Sequence, residues 1–112
     1  MSSVVQAFDR HDSLPPHSLE AEQSVLGSML LSHDAVAEVS EVLEPGDFYK
    51  ESHGLIYRTA LSLFASGEPV DPVTVAESLR AQGDLEKVGD RSYLLNLISS
   101  VPTPANARYY AE

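Results

Sequence analysis

The sequence has no cysteine. That excludes a disulfide framework and thiolate chemistry, and it fits a reducing compartment. It also has no apolar run approaching the ~18 residues of a membrane helix. Its opening stretch, MSSVVQAFDRHDSL, lacks the basic start and apolar core of a secretory signal. These absences predict a soluble cytoplasmic protein with no membrane contact. Bases are scarce as well: 7 Lys and Arg stand against 17 Asp and Glu, for a net charge of -10. Arg10, Lys50, Arg58, Arg80, Lys87, Arg91 and Arg108 are scattered singly. No basic stripe follows a phosphate backbone, so direct nucleic-acid binding is not expected. The surplus acid either serves solubility or forms a face for a basic protein partner.

Catalytic signatures are missing too. There is no Gly-rich phosphate loop ending in Gly-Lys-Ser/Thr and no His-Glu-x-x-His pair. No serine sits in a nucleophile elbow. His11, His17, His33 and His53 are separated from one another. His33-Asp34 reads as a helix entrance rather than a metal site. Glu20 and Glu22 point to different faces of one helix and favour its positive end. The chain therefore reads as a binding or assembly module, with no catalytic residue, metal or cofactor of its own.

What is present is helical patterning. At 112 residues the chain is about one domain. Residues 1–14 have no apolar period and read as a flexible tail. Ser18 is the expected N-cap of a first helix carrying Val25, Leu26, Met29 and Leu30 at helical spacing. A second helix fits 34–43, with Val36, Val39, Val42 and Leu43 on one face. Glu44-Pro45-Gly46-Asp47 stops it. A third, 51–66, is apolar on most sides and reads as the buried centre of a bundle. Asp71 caps a fourth and Pro72 takes its first position, where the missing N–H costs nothing. Val73, Ala76 and Leu79 are expected to face inward, and Gly83 closes the helix. DLEKVG forms at most a short turn. Asp90 is expected to cap a fifth helix, 91–100. Thr103-Pro104 then restarts the chain into ANARYYAE, which runs to Glu112 with no stop signal and is expected to continue. No segment alternates as a strand does. The fold class is all-α: a compact bundle of four to five helices over 15–89, then a helical hairpin over 90–112.

Gly27 interrupts the first helix at a cost of ~1 kcal/mol relative to Ala. A glycine there is tolerable where another backbone comes close, and the central third helix is expected to cross at that point.

PPHSLEAEQSVLGSMLL (15–31), DFY (47–49), HGLIY (53–57), GEPVDPVTVAESL (67–79) and YLLNLISSVPTPANARYYA (93–111) occur in the order that resembles the N-terminal domain of the bacterial replicative DNA helicase, the DnaB family. Gly89-Asp90 departs from the two glycines often found there. The resemblance implies a helical bundle plus a hairpin. Hairpins pair between subunits, and the domains form a collar on a hexameric, ATP-driven ring that unwinds DNA at the replication fork. ATP and Mg belong to a C-terminal motor domain that this chain does not contain. The implied partners are further copies of the chain, the C-terminal helicase-binding domain of primase and, in some bacteria, a helicase loader.

The residues supply a candidate contact for such pairing. Leu94, Ile98 and Val101 make one apolar row on the fifth helix, and Tyr93 and Leu97 make another. A row left uncovered in a monomer signals an interface. Leu94, Leu97, Ile98, Tyr109 and Tyr110 are assigned to a hairpin dimer contact, the alternative being that the bundle or a downstream helix covers them. Tyr93, an aromatic near a turn, is read either as a partner anchor or as a core residue. A stand-alone helical interaction module or regulator without a motor remains the alternative to a helicase domain.

Overall fold

The structure is a computed structural model and describes residues 18–101. Five α-helices follow in order: α1 Leu19–Leu31, α2 His33–Ser40, α3 Glu51–Ala65, α4 Pro72–Gln82 and α5 Asp90–Ser99. Short 3-10 turns occupy Pro45–Asp47 and Glu86–Val88. All regular structure among the described residues is helical, in agreement with the all-α expectation. No described helix is long and apolar enough to cross a membrane.

The helix starts follow from local chemistry. Ser18 Oγ accepts the Ala21 N–H at 3.3 Å, and Ser32 Oγ accepts that of Ala35 at 3.3 Å. Each satisfies a donor that has no partner within its own helix. Asp71 and Thr74 form a reciprocal box. The Asp71 carboxylate accepts the Thr74 N–H at 2.8 Å, and Thr74 Oγ1 accepts the Asp71 N–H at 3.0 Å. Pro72 is the first residue of that helix, as expected. Gly83 ends it with φ +79, where a side chain would be strained.

The start of α5 differs from expectation. Asp90 is not its cap but its first residue, held at φ 66 after Gly89 at φ 102. An acid tolerates this left-handed conformation better than most residues, since its short side chain bonds locally. Here Asp90 Oδ1 accepts the Arg91 N–H at 2.7 Å. Two other expectations are corrected. The second helix closes at Ser40 rather than 43, because the chain turns at Glu41 and Val42. Val73, in the first turn, points outward at 64% exposure, and Val75 takes its place beside Ala76 and Leu79, which are buried as expected.

One core runs through all five helices. It is built from Val25, Leu26, Met29, Val36, Val39, Ile56, Tyr57, Val75, Leu79, Leu94 and Leu97, with other apolar residues around them. Because α5 contributes to this core, the boundary expected at 89/90 does not separate two packed units. Tyr57 is fully buried, and its hydroxyl donates to the Leu43 carbonyl at 2.6 Å. Burial, helped by nearby Glu44 and Asp47, pushes its ionisation up to about 12. The hydroxyl thus stays protonated and secures the chain just beyond α2. Tyr57→Phe is expected to cost about 1–2 kcal/mol by stranding that carbonyl. A thermal melt identical to the parent's would show the bond to be dispensable.

Candidate functional site

Three residues from three helices meet at the end of the bundle where α1 and α5 begin. Glu22, in the first turns of α1, is fully buried. Its carboxylate accepts the Tyr49 N–H at 2.6 Å and, at 3.4 Å, the Lys50 N–H. It also lies 2.6 Å from His53 Nδ1. His53, on α3, is fully buried too, and its Nε2 bonds the Tyr93 hydroxyl on α5. The His53 and Tyr93 rings stack with centroids 5.8 Å apart and 17° between planes. The Lys50 ammonium sits 5.0 Å above the Tyr93 ring, within cation–π range.

Donor and acceptor roles follow from this arrangement. Backbone N–H groups only donate, so both Glu22 oxygens are acceptors and Nδ1 carries the proton. Burial lowers the His53 pKa below 6.5, against the opposing pull of Glu22 and with a smaller contribution from Lys50 in the same direction as burial. A neutral ring with a protonated Nδ1 leaves Nε2 as acceptor, so the Tyr93 hydroxyl donates to it. Carboxylate, imidazole and phenol thus form one polarised line.

Such a line resembles an acid–base relay in its order of groups, but its carboxylate and imidazole are fully buried. Glu22 and His53 are sealed from solvent, and only half-buried Tyr93 lies near the surface. The line is a tie: it fixes the start of α5 against α1 and against the loop entering α3. Among the described residues, no group of three or more His, Cys, Asp or Glu side chains converges to hold a metal. His33 packs its ring 4.8 Å from that of Phe64.

A second tie holds the other end of α5. A Cβ added at Gly27 would overlap the Leu97 carbonyl oxygen and a Val101 methyl group, and would lie 3.0 Å from the Leu97 carbonyl carbon. The close approach expected at Gly27 is therefore present, but the crossing element is α5, not the third helix. The reason lies in the register of α1, whose face at Gly27 is turned toward α5.

These two ties decide where the predicted contact residues lie. Leu94 and Leu97 are buried in the core of the single chain, which corrects their assignment to an exposed dimer contact. Both interdigitate with the bundle that the sequence left apart from them. Ile98 is partly buried against the same core. The large apolar side chain that α5 does expose is Leu95, at 56%. Tyr109 and Tyr110 lie outside the described residues. Tyr93 is partly buried, packed against the core and bonded to His53. Glu22 and His53 went unrecognised, Glu22 being read as a dipole partner alone and His53 as isolated.

Comparison with known proteins places the chain. The model of the DnaB-like helicase N terminal domain matches residues 14–112. The replicative DNA helicase DnaB of Mycobacterium leprae (strain TN) is 56% identical over 97 residues, which are 87% of this chain and 16% of that protein. That of Leifsonia xyli subsp. xyli (strain CTCB07) is 54% identical over 107 residues, 95% of this chain and 23% of the relative. The chain thus spans less than a quarter of either. The crystal structure of the N-terminal domain of DnaB helicase from Mycobacterium tuberculosis aligns with a TM-score of 0.78 at 56% identity, covering 88% of this chain and 68% of that one.

Proposed function

The chain belongs to the DnaB-like helicase N-terminal domain family, and from that membership we propose that it is the oligomerisation and primase-docking domain of a replicative DNA helicase. In this reading the whole protein is a cytoplasmic hexamer that unwinds duplex DNA with ATP and Mg bound in its motor domain. The present chain contributes assembly and docking rather than chemistry. The observation that carries the proposal is the match over residues 14–112.

Charge supports docking over DNA contact. Arg80 and Arg91 both bond Glu77, and Lys87 pairs with Asp84. Cations already engaged with the protein's own acids are poorly placed to neutralise phosphates. A domain that binds primase at the ring raises the local concentration of primase near the emerging single strand. That effect needs no new catalytic group. A helicase loader is a further candidate partner.

The test is size-exclusion chromatography with light scattering, with and without the C-terminal domain of the matching primase. The expected result is a self-associated peak whose mass rises when that domain is added. A peak indifferent to primase at high micromolar concentrations of both would overturn the docking role.

A further inference from the structure

Away from the buried line, a half-open groove of about 350 Å³ runs along the outer face of α3. Pro45, Phe48 and Tyr49 wall it, and Leu55 lines it between Glu51 and Arg58. Tyr49 is 62% exposed. Leu55 is only partly covered by the core. Glu51 and Arg58 are both exposed, and among the described residues neither has an ion-pair partner. Arg58 stands out for this. Arg80, Lys87 and Arg91 are ion-paired, and Lys50 lies over an aromatic ring.

The spacing of the two unpaired charges decides what fits. Seven residues are nearly two full turns, so Glu51 and Arg58 lie on one stripe about 10 Å apart along the axis. An acid at one end and a base at the other, with an apolar residue between, is a pattern that complements its own reverse. Two copies of α3 set antiparallel about a twofold axis at Leu55 bring Glu51 of each to Arg58 of the other. The two Leu55 side chains then meet at the centre, with Tyr49 at the edge. A twofold contact requires this kind of self-complementarity, in which residue i meets j and j meets i.

We propose that the Glu51–Leu55–Arg58 stripe of α3 is a twofold self-association surface, occupied by the same stripe of a second copy of this chain. It rests on the proposed oligomerisation role, for which it names a surface, and uses none of the residues at 93–110. One helix face with its wall falls below the ~1,200 Å² of ordinary stable complexes, so the contact is weak on its own and is read at high protein concentration.

Sedimentation equilibrium of the full chain and its charge reversals at ~0.15 M salt tests the proposal. The chain is expected to dimerise. Glu51→Arg and Arg58→Glu should each weaken the dimer by about tenfold, since each turns two attractions into two repulsions. The double variant should return to the parent's dissociation constant. Glu51→Arg separates pairing from net charge: it relieves the overall -10, so a purely global effect would tighten the dimer. Both positions are exposed, so the variants should keep the parent's melting temperature, and Glu51→Gln and Arg58→Gln should weaken the dimer in the same direction by less. A parent that stays monomeric, a tighter Glu51→Arg dimer, a double variant that is not restored, or reversals without effect would each overturn the proposal. The last result would place the contact elsewhere, the 93–110 segment included.

Discussion

Gly27→Ala is expected to lower the stability of the chain by about 2 kcal/mol, although the same exchange at an exposed helix position would raise it. Alanine is the better helix former by ~1 kcal/mol. At Gly27 the added methyl meets the Leu97 carbonyl oxygen and Val101. A backbone oxygen within α5 cannot rotate aside as a side chain would. Relief requires α1 and α5 to separate, which loosens Leu26, Met29, Leu94 and Leu97 together. Overpacking of that kind costs about 3 kcal/mol, leaving a net loss near 2 and a fall in melting temperature on the order of 10 °C. Gly27→Leu should be worse. Thermal unfolding by circular dichroism gives the sign directly. A melting temperature at or above the parent's would remove α5 from this crossing.

The larger loss is expected for Glu22→Ala. Removing the carboxylate leaves the His53 ring N–H and the backbone N–H groups of Tyr49 and Lys50 without their acceptor. Stranded buried donors cost about 1–3 kcal/mol each, and a partial collapse of the site recovers some of it. A total of about 4 kcal/mol is expected, enough to unfold many small domains. Glu22→Gln keeps one acceptor oxygen and should lose about half as much. If urea unfolding gave Glu22→Ala within 1 kcal/mol of the parent, the line would not hold the bundle.

The same site sets a pH dependence. The folded pKa of His53 lies below its unfolded value of 6.5. Between those values the unfolded chain binds a proton that the folded chain refuses, so stability falls as pH drops. The contribution is complete above about pH 6.5 and is lost as pH falls through the folded pKa. A His53→Gln variant should be less stable at neutral pH and should show a shallower decline just below pH 6.5. The upper end of this window, near pH 6.5, lies above the range in which ordinary carboxylates titrate.

Local chemistry was legible where it acts within a few residues. Ser18, Asp71-Pro72 and Gly83 each carry out a role that neighbours in sequence suffice to define. The close approach at Gly27 was legible for the same reason, since a glycine at an apolar stripe is a local anomaly. Its partner was not, because nothing in α1 names the helix that covers it. The polar line escaped notice because its members are 31 and 40 residues apart. A signal was nonetheless present. Glu22 shares the inward stripe of Val25, Leu26 and Met29, and His53 shares that of Ile56, Tyr57 and Ala60. Polar residues at inward positions on two helices need partners, and each is the other's. The rows on α5 were misassigned because the bundle was read as closed without it.

The meeting of α1 with α5 also fixes the order in which the chain can complete itself. The first described helix keeps Gly27 for a backbone near the far end of the described chain, and Glu22 for a ring on α3 tied in turn to α5. Contacts that close so long a loop come late and slow folding. A nascent chain that has not yet delivered Leu94 and Leu97 holds α1 with its best surface uncovered. Folding therefore waits on synthesis of the last described helix, and the domain arrives as a unit or not at all.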